Sequence, residues 1–118
     1  MPINSKQKGK RGELEVAHAF QRYGFEANRT AQFRGNTGQA PDVEIKNANL
    51  HVEVKFQNRM QLYNWMEQAW NDCDAEDKGN IPIVVHKANN KPMLVSMHFD
   101  DFMEMYTKYL ERIKNGQN

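Results

Sequence analysis

Cysteine is nearly missing from this sequence: Cys73 is the only one in 118 residues. That excludes an internal disulfide framework and fits the reducing cytoplasm of a bacterial, archaeal or phage-infected cell. No apolar run approaches the roughly 18 residues that cross a membrane, so no membrane partner is expected. The opening stretch, MPINSKQKGKRGE, is basic but lacks the apolar segment of a secretory leader. His18, His51, His86 and His98 form no i, i+4 pair and no ligand-like cluster, which argues against zinc. RGNTG (34–38) lacks the lysine and serine of a nucleotide-binding loop. Repeats, low-complexity tracts and linkers are absent, and so is a strong net charge, which is +1.

What remains is a chain with 39% hydrophobic and 26% charged residues. It is long enough for one folded domain over residues 1–118, with 1–8 as a flexible basic arm. The charge is unevenly spread. Lys6, Lys8, Lys10 and Arg11 crowd the start, and Arg29 and Arg34 follow, while acids collect in DCDAED (72–77) and FDD (99–101). A basic first third suggests a side that faces a polyanion such as DNA. The plainer alternative is a solvated, frayed terminus.

Patterning predicts a helix over 8–23, closed by Gly24, and a short strand over 25–30. A long polar loop spans 31–41. Strands follow at 42–46 and 50–57, then a helix over 61–78, strands at 81–87 and 92–97, and a last helix over 99–114. The fold class is therefore mixed α/β: a central sheet of about five strands flanked by helices. On the 61–78 helix, Leu62, Met66, Ala69 and Cys73 form one apolar stripe, and Tyr63 and Trp70 fall on another side. A helix apolar on two sides needs a second partner, and a homodimer seam is one way to supply it. The last helix carries Phe99, Phe102, Met103, Tyr106, Leu110 and Ile113 as its stripe.

PDVEIKNANLHVEVKFQ (41–57) carries the chemistry. Alternation puts Leu50, Val52, Val54 and Phe56 on one strand face and His51, Glu53, Lys55 and Gln57 on the other. If the two strands form a hairpin with matching apolar faces, Asp42 lies opposite Glu53 or Lys55. Two carboxylates that close repel unless a cation offsets them. An oxygen-only ligand set suits Mg²⁺, with Mn²⁺ as substitute, better than zinc. Glu13 shares a helix stripe with Val16, Ala17 and Phe20, so it points toward the core as a third acid. The alternative places it in the first turn, reaching solvent. Lys55 beside such a pair is suited to orient water and stabilise charge on a phosphate. The bland reading is a solvated Glu/Lys face.

Taken in order, Gly9–Glu13 (G-x-x-x-E), GF (24–25), NRT (28–30), PD (41–42) and EVK (53–55) resemble the PD-(D/E)XK nuclease superfamily. Within it the chain is similar to the small Holliday-junction resolvases of archaea and phages. The resemblance implies a restriction-endonuclease-like αβββαβ core. It implies Glu13, Asp42 and Glu53 as metal-binding and catalytic acids, and Lys55 as catalytic lysine. Gln57 is a candidate helper on the same face. Thr30 lies near a position where the resolvases carry a serine, which adds it to the DNA-contacting set. Gln68 echoes a glutamine that related nucleases place near the lysine. The loop 31–41 and the helix MQLYNWMEQAWNDC depart from the resolvases.

The function expected is a metal-dependent DNA endonuclease, selective for branched DNA and acting as a homodimer. The alternatives are an inactive nucleic-acid-binding module of the same fold, or a repair or restriction-like nuclease on other DNA.

Overall fold

The structure is a computed structural model that describes residues 5–30 and 39–116, with side chains from residue 8 onward. Helix α1 (Ser5–Gln21) starts three residues before the expected position, so residues 5–8 are helical. Its Val16, Ala17 and Phe20 pack on the sheet. Gly24, at φ 91°, lets the chain reverse after it. Strand β1 (Ala27–Arg29) then leads to β2 (Val43–Ile45) and β3 (Leu50–Phe56). Asn47, at φ 61°, sits in the turn between the last two.

Helix α2 (Leu62–Glu76) crosses from β3 to β4 (Ile81–Lys87), which runs parallel to it. Asp77, at φ 54°, caps α2, its amide donating to the Cys73 carbonyl. Strand β5 (Leu94–Met97) returns antiparallel to β4, and α3 (Phe99–Lys114) follows. The five strands lie in chain order, β1-β2-β3-β4-β5, as one mixed sheet.

Both faces of the central strands are covered. On one, α1 packs over Val43, Val52, Ile83 and Val85. On the other, Trp65, Met66 and Ala69 of α2 pack over Val84. The side of β3 that read as polar is therefore also interior: His51 and Glu53 are both buried. Alternation alone reported a half-buried strand because it cannot register a helix arriving on the polar side.

The last helix has the expected bounds but a different role. Its apolar stripe faces no core: none of its residues is buried, and neither buried cluster includes it. Among the described residues, no helix is long and apolar enough to cross a membrane.

Candidate active site

Asp42 is fixed almost entirely by backbone. Its amide donates to the Val52 carbonyl at 2.8 Å, and its carbonyl accepts from the Thr30 amide at 3.0 Å. Its carboxylate accepts from the Val54 amide at 2.9 Å. The pairing of Val43 with Val52 sets Asp42 beside Glu53, the next residue along the neighbouring strand. Burial and the charge of Glu53 push the Asp42 carboxyl up to about 7, against the opposing pull of the Val54 amide and Lys55. Near neutral pH these two acids hold a proton that isolated carboxylates would release.

Glu13 approaches from α1. It lies in the third turn of that helix, so the alternative of a first-turn acid facing solvent does not hold. Its carboxyl is raised by burial and by the charge of Asp42, while Arg29 pulls it down. The Arg29 guanidinium donates to Glu13 at 2.7 Å, both side chains being about four-fifths covered. Gly12 makes this approach feasible. A β-carbon there would lie 3.0 Å from the Phe56 ring, so only glycine lets α1 sit this close to β3. Gly12 had no distinguishing signal in the sequence, because its demand comes from a strand more than forty residues away.

Glu53 is held from behind. His51 Nε2 lies 3.2 Å from Glu53 Oε1, and His51 Nδ1 lies 3.3 Å from Glu76 Oε1 at the end of α2. His51 is fully buried, so this chain of three runs from the cleft through the protein to α2. The shared strand face with Glu53 marked His51 as a neighbour of the site. Glu76 carried no signal, since its position depends on how α2 docks.

Glu13, Asp42, Glu53 and Lys55 open into one cleft of about 650 Å³, which Gln57 and Gln68 also line. Lys8, Asn58 and Arg59 stand at the same cleft. Asn58 and Arg59 were not singled out from the sequence, because a loop after a strand gives no clue to its direction.

The expected DNA-contacting residues divide. Lys8 reaches the cleft, and Lys10 and Arg11 are exposed on α1. Arg29 is engaged with Glu13 rather than directed at a ligand. Thr30 is corrected: it is buried, and its hydroxyl finds no hydrogen-bond partner among the described residues, so it offers DNA no surface. Arg34 and the side chain of Lys6 lie outside the described residues. Tyr63 and Trp70 are exposed on α2, on the side away from the sheet.

Among the described residues, no group of three His, Cys, Asp or Glu side chains is already arranged as a closed metal site. The donor set nevertheless suits a hard cation. Two adjacent carboxylates, one of them retaining a proton for want of a counter-charge, present oxygen atoms only. A divalent ion would take the place of that proton. Glu13 would join once its hold on Arg29 loosened.

Residues 4–116 match the family model described as "Phage putative PDDEXK endonuclease". No curated protein matches the chain. Among solved structures, Archaeoglobus fulgidus Hjc, a Holliday junction resolvase from an archaeal hyperthermophile, is similar with a TM-score of 0.58. The likeness covers 75% of this chain and 76% of that one at 21% identity, and it establishes the shared restriction-endonuclease-like fold.

Proposed function

The chain belongs to the phage PD-(D/E)XK endonuclease family, and from that premise we propose that it is a metal-dependent DNA endonuclease selective for branched DNA, of the Holliday-junction kind. The observation that carries this reading is the convergence of Glu13, Asp42, Glu53 and Lys55 on one open cleft, with Asp42 held protonated to about pH 7 for lack of a cation. A catalytically inactive binding module would have no reason to keep two facing carboxylates inside its sheet, where each costs stability.

Asp42 and Glu53 are the ligands for Mg²⁺, or Mn²⁺ in its place, with Glu13 as the third acid. The ion supplies Lewis-acid stabilisation of charge on the scissile phosphate. The protein supplies position. Val54 aims the Asp42 carboxylate, and His51 with Glu76 aims that of Glu53. Lys55, two residues beyond Glu53 on the same strand face, offers an ammonium to orient the attacking water and offset charge as the bond to the leaving oxygen breaks. Lys8 and Arg59 at the cleft are suited to hold flanking phosphates, and Gln57 and Gln68 to hydrogen-bond them. Lys10 and Arg11 extend that basic side along α1. A homodimer would present two such clefts to a two-fold branched substrate.

The test offers purified protein a four-way junction, a flap, single-stranded DNA and linear duplex side by side, with Mg²⁺, Mn²⁺ or Ca²⁺. Cleavage of the junction with Mg²⁺ or Mn²⁺, faster than of duplex, is expected. Binding of all four DNAs with no cleavage in any metal would turn the reading to the binding module. Equal cleavage of duplex and junction would retain the nuclease and discard branch selectivity.

A further inference from the structure

Helix α3 is the one long element that buries nothing of its own. Phe99, Phe102, Tyr106, Tyr109 and Ile113 recur at alternating intervals of three and four residues, the spacing of a helix–helix seam. Met103 and Leu110 widen the stripe. Their exposure runs from 38% at Met103 to 72% at Phe99, far above what a packed face would leave. An isolated helix of about 12–15 residues is marginal in water. A 16-residue helix with this stripe therefore needs something to cover it.

The sequence of α3 indicates what that is. Its polarity is nearly symmetric about Tyr106. Counting outward, Phe102 corresponds to Leu110, Met103 to Tyr109, and Phe99 to Ile113. The ends carry opposite charge: Asp100 and Asp101 in the first turn, Arg112 and Lys114 in the last. A helix of that design is complementary to itself when reversed. We propose that α3 is the seam of a homodimer, packing antiparallel against α3 of a second copy about a two-fold axis at Tyr106.

In that arrangement Tyr106 meets its own counterpart, and each Phe99 meets an Ile113. Asp100 lies on the same flank of the seam as Lys114 of the other copy, so each acidic end sits beside a basic end. A parallel pairing would instead bring Asp100 and Asp101 against their own copies. Phe99 and Phe102 also border a cavity of about 820 Å³ against Tyr63, Met66 and Trp70. The second copy's Leu110 and Ile113 arrive at its mouth. This joins the exposed side of α2 to the same interface. Because α3 follows β5, at the opposite sheet edge from β1 and two strands beyond the acids on β2–β3, pairing through it leaves both clefts open.

Light scattering reads the assembly without DNA or metal, so this inference and the nuclease reading fail separately. Wild type is expected at twice the chain mass of 13.8 kDa. Tyr106→Glu, which puts two like charges on the axis, is expected to run at a single chain mass with the sheet's circular dichroism retained. Asp100→Lys should raise the dissociation constant about tenfold, the range of a rim-to-intermediate contact, and adding Lys114→Asp should restore it. Glu104→Ala, on the opposite side of α3, should leave the dimer intact. If Tyr106→Glu does not fold, Phe102→Ala at falling concentration reads the same seam through earlier dissociation. A wild type that stays at one chain mass at every concentration overturns the proposal. So does a dimer that survives Tyr106→Glu but is split by Trp70→Glu, because the seam would then be α2.

Discussion

On β3, Glu53 is 3% exposed and His51 is fully buried; on α3, Phe99 is 72% exposed and Tyr109 is 59%. The two regions depart from ordinary burial in opposite directions. At the β2–β3 edge, charged groups are held inside, each with a partner: His51 and Glu76 for Glu53, Val54 for Asp42, Arg29 for Glu13. On α3, apolar groups are held outside. Neither deviation helps an isolated monomer, and each is accounted for by something the monomer must meet. A cation and a phosphate satisfy the first, and a second helix satisfies the second. Polar groups kept inside mark chemistry, while apolar groups kept outside mark assembly.

The largest effects that separate these regions fall on the acids. Glu53→Gln keeps shape but removes a ligand charge. Together with Lys55→Ala it should lower junction cleavage by about 10²–10³-fold or more in each single variant, as removal of a charge-stabilising group does. Metal-free DNA binding should stay near wild type. Glu15→Gln and Glu44→Gln, made alongside and checked by circular dichroism, should cleave normally. A well-folded Glu53→Gln protein that still cuts would erase the distinction between site and surface.

The second effect concerns stability without metal. An unfolded aspartate loses its proton near 3.8, and folded Asp42 holds it to about 7. Between those values the folded state binds a proton that the unfolded state has released, so rising pH favours unfolding. In chelator, the melting temperature should fall as pH rises from about 4 to about 7, with a contribution on the order of a few kcal/mol. Asp42→Asn should flatten that slope, and Mg²⁺ should recover stability above it. No such slope is expected from changes on α3. A metal-free protein whose stability is flat across this range would mean that the pair is not strained.

A smaller change should follow when Glu53 loses its support. Glu76→Ala leaves every group in the cleft in place but releases His51. Groups that orient metal ligands are typically worth about 10–100-fold in metal affinity. Titration with Mn²⁺ should show weaker binding in that range, and cleavage should return at high metal. A cleavage loss that excess metal does not relieve would assign Glu76 a purely structural role.

The smallest effect compares ion pairs of the same kind in the two regions. Arg29–Glu13 is mostly covered, whereas Lys108–Glu104, at 3.4 Å, stands 74% and 61% exposed. Arg29→Ala should cost about 1–2 kcal/mol in denaturant unfolding, because it leaves Glu13 without its charged donor. Lys108→Ala should cost no more than about 0.5 kcal/mol. Equal costs would mean that the site's burial gives its charges no special weight.

Much of the site was legible because its information is local. A strand's period of two places Glu53 and Lys55 on one face whatever lies above them, and matching the apolar residues of two adjacent strands fixes Asp42 against Glu53. The helical period likewise turned Glu13 inward with Val16 and Ala17. The bounds of α3 were readable for the same reason, since its stripe and its acidic first turn lie within sixteen residues. Residues whose role depends on distant docking were not readable. Gly12 matters only because Phe56 arrives above it, and Glu76 only because α2 lands where its last turn meets His51. Thr30 looked available beside a basic segment, yet the chain carries it into the interior.

By itself the sequence determined the order of elements, the acids and the lysine on their strand faces, and the existence of a strong apolar stripe at the C-terminal end. These follow from periodicity and side-chain chemistry, which act over a few residues. Tertiary structure alone decided that the polar face of β3 is interior, that Arg29 answers Glu13, and that the stripe of α3 is left uncovered. Each of those depends on which surfaces meet. That outcome is set by long-range packing of α1 and α2 on the sheet, and no local pattern encodes it.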